Sequence, residues 1–256
     1  MPALNFWKIA AAGNDFVLID HRRLQFKKRA AALSRQLCDR HFGVGADGII
    51  LIEDEPGCDF VMQYYNADGS GPAMCGNGGR AALFFVHGSG ISRKRQYFFR
   101  AADGPHAGLV EKGQTSLTIR TPQKIEKMSL AAGTAWSVDT GVPHLIIFRR
   151  RLQARDLTNT APRLRRLYDT NVNFIWRDAD EEWHIRTFER GVEGVTLACG
   201  TGATAAAVAI NRRIGQPFPI TIQAEGGSLT ISERDQQLWL SGPVKKIFEG
   251  QLEINL

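Results

Sequence analysis

Two short segments of the sequence carry a cysteine in the same glycine-rich setting. One reads Cys75-Gly-Asn-Gly-Gly-Arg-Ala-Ala and the other Cys199-Gly-Thr-Gly-Ala-Thr-Ala-Ala. Both share the order Cys-Gly-polar-Gly, both open a stretch that predicts a helix, and about half of the 256-residue chain separates them. This internal repeat predicts two structurally similar halves, each with a cysteine at the start of a helix.

The start of a helix is a favourable place for a reactive thiol. Its first backbone N–H groups carry a partial positive charge, which lowers the pKa of a nearby thiol and attracts anions such as a carboxylate. Glycines let the backbone approach a ligand closely. If the two starts face each other across a cleft, one thiolate can remove a proton from a carbon while the opposite thiol protonates its other face. Such a reaction inverts a stereocentre and needs no cofactor.

A cysteine at a tight helix start can also be a small buried residue without a chemical role. That interpretation is the better one for a single cysteine, whereas a matched pair in duplicated turns favours chemistry. Cys38 and Cys58 lack a comparable setting, and we interpret both as structural.

The composition is that of a globular protein, with 43% hydrophobic and 23% charged residues. The net charge of +6 is compatible with anionic substrates or nucleic acid. We expect no membrane span, because no apolar run reaches 18 residues, and no secretory signal at the N-terminus. These features favour a cytoplasmic protein with reduced thiols, and the cysteine spacing predicts no metal site.

The remaining pattern combines many strands with few helices. Helices are predicted at residues 26–41, from Gly79 to Gly88 or Gly90, and from Gly200 to Gly215. Because strands and helices do not alternate regularly, the sequence predicts an α+β fold and not a doubly wound parallel sheet. We expect a domain boundary near the polar stretch Thr121–Lys127.

The motifs around both cysteines resemble those of the diaminopimelate epimerase family, in the family's order and over nearly the whole chain. The segments that carry the resemblance are Gly13–Phe16, Arg40–Gly48, Asn66–Ser70, Met74–Gly78, Gly141–His144, Asn171–Phe174, Glu189–Gly191 and Leu197–Gly202. The resemblance implies an isomerase that interconverts LL- and meso-diaminopimelate, for lysine and peptidoglycan synthesis, without pyridoxal phosphate. It allows a homodimer.

The resemblance also implies an architecture of two pseudo-symmetric α/β halves, each a mostly antiparallel sheet wrapped around a central helix. The N-terminal half would comprise residues 1–122 with the C-terminal segment 244–256 and carry Cys75. The C-terminal half would comprise residues 123–243 and carry Cys199.

Each motif receives a role from the resemblance. Cys75 and Cys199 would be the two acid/base groups, with His144 and Glu189 nearby to assist proton transfer. The backbone amides that would hold the α-carboxylate belong to Gly76, Asn77, Gly200 and Thr201. The side chains that would bind the distal polar end of the substrate belong to Asn14, Asn66, Asn171 and Arg190.

One departure from the family pattern bears on specificity. Val142 stands where the family often has an asparagine that helps to bind the distal group. An apolar side chain there could relax or shift the choice of substrate, so a related racemase of another amino acid stays an alternative. A non-catalytic binder of anions or nucleic acid is a remote alternative, because the basic residues are scattered and no nucleic-acid motif is present.

Overall fold

The computed structural model describes residues 3–23, 29–122, 124–130 and 133–253. The chain divides into two compact units. The first consists of the chain up to Leu117 together with the chain from Gly242 onward, and the second is Thr118–Ser241. The domain limit predicted between residues 122 and 123 falls at Gln123, which lies outside the described residues.

The strands of both units account for most of the regular structure, and their bounds follow in chain order. Those that begin in the first unit are β1 Ala3–Ala11, β2 Asn14–Asp20, β3 Gly48–Glu53, β4 Phe60–Asn66, β5 Gln96–Ala101, β6 Gly104–Glu111 and β7 Gln114–Ile119. Those that begin in the second are β8 Ile125–Leu130, β9 Gly133–Asp139, β10 Pro143–Phe148, β11 Asn171–Arg177, β12 Trp183–Glu189, β13 Gly194–Thr196, β14 Ile220–Ala224, β15 Gly227–Arg234 and β16 Gln237–Gly242. The last strand, β17 Val244–Glu253, returns to the first unit.

Four α-helices connect these strands in the described part of the chain. They are α1 Ala30–Cys38, α2 Gly76–Gly88, α3 Ala161–Tyr168 and α4 Gly200–Ile214. The helices α2 and α4 start directly after the two motif cysteines and end where the glycines predicted, with Gly215 in the left-handed region at φ 70°. None of the helices that the described ranges form has the length and apolar character to span a bilayer.

The predicted helix at residues 26–41 is longer than the one in the structure. Its first positions lie outside the described residues, and α1 covers Ala30–Cys38. The helix ends early because the Asp39 carboxylate accepts hydrogen bonds from the backbone N–H groups of His41 and Phe42, at 2.7 and 2.8 Å. Such a local side-chain acceptor stabilises a turn in place of a further helical turn.

The two units have the same strand order and the same strand directions. In the first, the order is β17-β1-β2-β3-β4-β5-β6-β7. In the second, it is β8-β9-β10-β11-β12-β14-β15-β16, with β13 as an extra strand on β12. Both series run antiparallel, antiparallel, parallel, antiparallel, parallel, antiparallel, antiparallel. The predicted α+β fold with two pseudo-symmetric, mostly antiparallel halves is therefore confirmed.

Each unit wraps its sheet around a central helix. The helix α2 contacts β1, β2, β3, β4, β6 and β17, and α4 contacts β9, β10, β11, β12, β14 and β15. Small residues make this possible: Ala203, Ala205, Ala206, Ala207 and Ala209 of α4 are all buried. The shorter helices α1 and α3 cover the other face of the β2–β4 and β11–β12 regions.

Burial on both faces explains the long apolar runs in the middle strands. In β2 and β3, Val17, Ile19, Ile49 and Leu51 belong to the cluster that α1 covers. The alternate residue Ile50 points to α2, with its Cδ1 atom 3.2 Å from where a Cβ atom at Gly78 would lie. Every residue of β3 is buried as a result.

Candidate functional site

In each unit, the predicted site residues lie at the edge of the sheet where several strands begin or end, next to the start of the central helix. In the first unit, Phe16 is paired with Gly48, and Gly48 with Asn66. In the second unit, the corresponding pair is His144 with Asn171. Since β4 runs antiparallel to β3, and β12 antiparallel to β11, both strands end at this same edge, before the segments that lead to the two cysteines.

Cys75 is the N-cap residue of α2. Its backbone is extended, at φ −136° and ψ 120°, and its Sγ accepts a hydrogen bond from the N–H of Gly78 at 3.4 Å. The first helical bond runs from the N–H of Gly79 to the Cys75 carbonyl at 2.8 Å. The preceding N–H groups, those of Gly76 and Asn77, have no acceptor within a helix by its geometry. They are suitably placed to bind an anion beside the sulfur.

Asn77 connects the helix start to the strand edge. Its Nδ2 donates to Oδ1 of Asn14 at 2.7 Å, and Nδ2 of Asn14 donates to Oδ2 of Asp47 at 2.9 Å. The Oδ1 atom of Asn77 accepts from Nη2 of Arg80 at 2.7 Å. Because a guanidinium can only donate, it fixes the orientation of the Asn77 amide, and through it that of Asn14.

Asp47 and Asp15 form an ion-pair cluster with Lys8 and Arg40 at this edge. Nζ of Lys8 lies 2.8 Å from Oδ2 of Asp15 and also donates to the carbonyl of Gly45. Nη2 of Arg40 bridges the two carboxylates at 3.0 and 2.9 Å. Burial opposes ionisation of Asp15, but the hydrogen bonds from Arg40 and Lys8 outweigh it and hold its pKa at about 2.

Asn66 has separate partners from Asn14 and Asn77. Its Oδ1 accepts from the Tyr64 hydroxyl at 2.8 Å, and its Nδ2 lies 3.0 Å from Oγ of Ser70. Burial, and then the neighbouring Cys75, raise the pKa of Tyr64, so this phenol stays neutral. Tyr64 thus fixes the Asn66 amide with its carbonyl oxygen toward the phenol.

Cys199 is the N-cap of α4 in the same extended conformation, at φ −126° and ψ 112°. Its Sγ lies 3.3 Å from Oγ1 of Thr201, and that hydroxyl lies 3.0 Å from Nε2 of His144. His144 is fully buried, on β10. Burial, and then the charge of Arg190, lower the pKa of His144 to about 3, so its ring is neutral at neutral pH.

The other nitrogen of the His144 ring faces Asn173. Nδ2 of Asn173 lies 3.1 Å from Nδ1 of His144 and 3.3 Å from the carbonyl of Leu145, while its Oδ1 accepts from the Thr187 hydroxyl at 2.8 Å. An amide nitrogen can only donate, so Nδ1 is the acceptor and the ring proton resides on Nε2. Nε2–H then donates to Thr201, whose hydroxyl proton is directed to the sulfur of Cys199.

Glu189 is a second polar neighbour of Cys199. Burial raises the pKa of its carboxyl, while hydrogen bonds with Thr196 and Cys199 oppose that rise. The Thr196 hydroxyl donates to Oε1 of Glu189. A buried carboxyl with a raised pKa, in contact with a thiol, is suited to exchange a proton with it.

Asn171 and Arg190 are joined through the backbone. Oδ1 of Asn171 accepts from the N–H of Arg190 at 2.9 Å, and its Nδ2 donates to the carbonyl of Pro143 at 2.9 Å. The Arg190 guanidinium is paired with Asp169 at 3.1 Å. Val142, half-buried two residues before His144, accepts through its carbonyl from the N–H of Thr140 at 3.2 Å.

The structure therefore groups the predicted residues into three sets. Asn14 and Asn77 contact each other near Cys75, while Asn66 contacts Tyr64 and Ser70. The polar set around Cys199 consists of Gly200, Thr201, His144 and Glu189. Asn171 and Arg190 form the third set.

Among the residues next to these sets that had no predicted role are Arg80, Asn173 and Thr187. One signal could have revealed Asn173, because Asn171 and Asn173 lie on the same face of an otherwise apolar strand. Gly202 also belongs to this group, since a Cβ atom there would lie 2.6 Å from Oδ1 of Asn173. Each helix start thus combines a sulfur, first-turn N–H groups and oriented polar side chains, which suits proton transfer next to a bound carboxylate.

Comparison with known proteins identifies close sequence relatives. The model of the family described as diaminopimelate epimerase matches residues 6–117 and 136–247. Diaminopimelate epimerase of Flavobacterium psychrophilum is 38% identical over an alignment of 259 positions that covers 96% of this chain and 99% of the relative. The enzyme of the same name from a Nitratiruptor species is 39% identical over 245 residues, covering 94% and 96%.

Solved structures share the fold at low sequence identity. A phenazine biosynthesis protein of the PhzF family from Bacillus anthracis has a TM-score of 0.76 at 13% identity, covering 99% of this chain and all of that one. A hydroxyproline epimerase from Agrobacterium vitis, with bound trans-4-hydroxy-L-proline, has a TM-score of 0.68 at 13% identity, covering 98% and 92%.

Proposed function

The chain belongs to the diaminopimelate epimerase family, and we propose that it interconverts LL- and meso-diaminopimelate with Cys75 and Cys199 as its acid/base groups. The observation that carries the proposal is the repeated helix start, in which each cysteine caps a buried helix beside N–H groups suited to a carboxylate. Epimerisation of an α-carbon requires one group to remove the proton and another to supply one on the opposite face.

The proposed reaction is balanced without a co-reactant. One cysteine enters as thiolate and takes the α-proton, and the electron pair left on the carbon delocalises into the carboxylate. The other cysteine enters as thiol and donates its proton to the opposite face. After the reaction, the protonation states of the two cysteines are exchanged, and the reverse reaction restores them. We therefore expect the two thiols to titrate as coupled groups.

The surrounding side chains stabilise the charge that develops. The N–H groups of Gly76, Asn77, Gly200 and Thr201 would hold the carboxylate, which becomes more negative as the proton leaves. Glu189 would share the proton of Cys199, and neutral His144 would orient the Thr201 hydroxyl toward the same sulfur. These steps use the chain's own residues alone.

The distal end of the substrate carries a second amino acid group, with a carboxylate and an ammonium. We assign Asn14, Asn66, Asn171 and Arg190 to its binding, because amides supply both donors and acceptors and a guanidinium can bind a carboxylate. The structure already orients three of these amides, through Asn77, Tyr64 and the Arg190 backbone. The reaction would take place in the cytoplasm, where thiols stay reduced.

The test is exchange of the substrate α-proton in deuterium oxide, followed by NMR. With reduced protein and LL-diaminopimelate, we expect loss of the α-proton signal and formation of the meso isomer. Cys75→Ala and Cys199→Ala should each abolish inversion, whereas Cys58→Ala, in a loop outside the site, is the matched control and should retain it. If the isomer ratio stays at its starting value with reduced wild-type protein, the proposed function is wrong.

A related racemase of another amino acid is the second candidate, and Val142 favours it. The residue offers only its backbone for hydrogen bonds to a ligand, two residues upstream of His144. The same exchange experiment with a panel of L-amino acids separates the two functions. Faster exchange with another amino acid than with diaminopimelate would transfer the mechanism to that substrate.

A further inference from the structure

The two helix starts differ at one buried position. Arg80 follows Cys75 by five residues, and Thr204 follows Cys199 by five. Both side chains are fully buried, and both donate to the carbonyl of the residue after the cysteine. Nη1 of Arg80 lies 3.4 Å from the Gly76 oxygen, and Oγ1 of Thr204 lies 2.9 Å from the Gly200 oxygen.

The structural task at this position therefore does not require a charge. Thr204 satisfies the corresponding carbonyl with a neutral hydroxyl. A buried guanidinium has a large desolvation cost unless an anion compensates it. Among the residues that the structure describes, no Asp or Glu forms a salt bridge with Arg80, and its Nε atom has no acceptor.

Arg80 remains charged at neutral pH. Burial lowers its pKa to about 10, and the nearby Cys75 opposes that change. Its contacts with Asn77 and Gly76 hold the guanidinium against the first turn of α2. The sulfur of Cys75 accepts a hydrogen bond from the Gly78 N–H in the same turn.

The neighbours of Cys199 have the opposite character. Glu189 is a buried carboxyl that shares a hydrogen bond with this cysteine, and the adjacent His144 ring is neutral. A carboxylate disfavours a second negative charge beside it and accepts a hydrogen bond from a thiol, so it favours the protonated form of Cys199.

The other ionisable groups near Cys75 do not alter this contrast. Tyr64, on β4, is a neutral phenol that responds to Cys75. The charges at the starts of β2 and β3 are engaged with one another in the ion-pair cluster of Lys8, Asp15, Arg40 and Asp47.

We propose that Arg80 is the counterion of a Cys75 thiolate, so that Cys75 carries the negative charge and Cys199 the proton in the substrate-free enzyme. The proposal deepens the two-base function and rests on it only for its catalytic meaning. In this state the enzyme is ready to remove the α-proton from the Cys75 side. Arg80 is a positioning residue, because it acts through the cysteine and through Asn77.

The test measures the ionisation of each cysteine separately. The rate of alkylation by iodoacetamide is followed against pH, with mass spectrometry of the labelled peptides, in Cys199→Ala for Cys75 and in Cys75→Ala for Cys199. We expect the midpoint of Cys75 to lie at least about one pH unit below that of Cys199. A lower midpoint for Cys199 overturns the proposal.

The charge is then removed at constant volume. Adding Arg80→Met to Cys199→Ala should raise the midpoint of Cys75 by about 1–3 pH units and slow its alkylation near pH 7 at least about tenfold. Arg80→Lys should restore most of the effect, whereas Thr204→Val, the matched change in the other half, should leave the Cys75 midpoint unchanged. An unchanged midpoint in Arg80→Met contradicts the proposal.

Two safeguards keep the outcome decisive. If Arg80→Met does not fold, the comparison of the two single-cysteine backgrounds and the Arg80→Lys variant still decide. Exchange of the substrate α-proton in the wild-type protein is measured in parallel. A low alkylation midpoint for Cys75 without exchange of the substrate α-proton supports the ion pair and refutes the proposed function. Exchange of the α-proton without a low midpoint supports the proposed function and refutes the ion pair.

Discussion

Nδ2 of Asn173 lies 3.1 Å from Nδ1 of His144, and this contact determines which ring nitrogen carries the proton. The carbonyl of Leu145, 3.3 Å from the same amide nitrogen, fixes the amide orientation. The two residues are on adjacent parallel strands, β10 and β11, and both are fully buried. In the series of hydrogen bonds from Asn173 through His144 and Thr201 to the sulfur of Cys199, each residue therefore donates to the next.

Replacing Asn173 should change the rate of turnover more than the binding of substrate. In Asn173→Asp, the carboxylate accepts a hydrogen bond from Nδ1–H, so the tautomer reverses and Nε2 no longer donates to Thr201. We expect kcat to fall about 10- to 100-fold with a smaller change in KM. Steady-state kinetics over a range of pH measure this change. The control is Asn173→Ser, which retains a small polar group without a charge. An equal fall in kcat in that variant would indicate that Asn173 acts through packing.

The hydroxyl of Thr201 should be required for the Cys199 half-reaction. Thr201→Val removes the group that lies between Nε2 of His144 and Sγ of Cys199 and leaves the volume unchanged. We expect kcat to fall about tenfold or more, while Thr201→Ser, which keeps the hydroxyl, should stay close to wild type. Equal kinetics for the valine and serine variants would show that only the backbone N–H of Thr201 matters.

Gly202 should tolerate a methyl group less well than its counterpart in the first unit. A Cβ atom at Gly202 would lie 2.6 Å from Oδ1 of Asn173, whereas at Gly78 the nearest atom is Cδ1 of Ile50 at 3.2 Å. The first contact displaces a hydrogen-bonded amide, and the second moves the end of a flexible side chain. We expect Gly202→Ala to lower the free energy of unfolding by about 1–3 kcal/mol more than Gly78→Ala does. Thermal unfolding and steady-state kinetics of both variants measure this, and Gly202→Ala should also have the lower kcat.

The ion-pair cluster should make stability depend on pH in acid. The carboxyl of Asp15 has a folded-state pKa of about 2, below its ordinary value of 3.8. Its contribution is complete above about pH 4 and is lost as the pH falls toward 2, because the unfolded state then binds the proton more readily. The pKa difference corresponds to about 2 kcal/mol at neutral pH.

This dependence is measurable by urea unfolding of wild type and Asp15→Asn across the acid range. The difference in their free energies of unfolding should be constant from about pH 5 to 8 and shrink below about pH 4. A difference that persists undiminished at the lowest pH would mean that Asp15 stabilises the fold through packing and not through its charge. Asp20→Asn is a comparison variant at the other end of β2, where the carboxylate is more exposed than that of Asp15 and pairs with Arg22 alone among the ion pairs of the described residues, so its effect should be smaller.

The residues with a repeated local signal were the most predictable. The Cys-Gly-polar-Gly repeat located both central helices, because their starts depend on short-range backbone geometry. The glycines at Gly88 and Gly215 located their ends for the same reason. The family resemblance directed attention to His144 and Glu189, and the structure shows both next to the Cys199 helix start.

The contacts that orient these groups could not be predicted from the sequence, because they join elements that are distant along the chain. Asn173 meets His144 across two strands, and a lone histidine before an apolar strand is otherwise typical of a satisfied core residue. Arg80 is buried only because the sheet encloses α2, whereas arginine in a helix is mostly exposed. The orientation of the Asn66 amide likewise depends on its contact with the Tyr64 hydroxyl.

The last strand of the chain completes the first unit. Strand β1 pairs along its whole length with β17, from Ala3 with Glu253 to Ala11 with Val244. The second unit, Thr118–Ser241, is by contrast made from one continuous segment. During synthesis, the half that begins first is therefore the half that is finished last. Until β17 has been synthesised, one edge of β1 has no strand to pair with, so the Cys75 half depends on a segment that follows the whole of the other half.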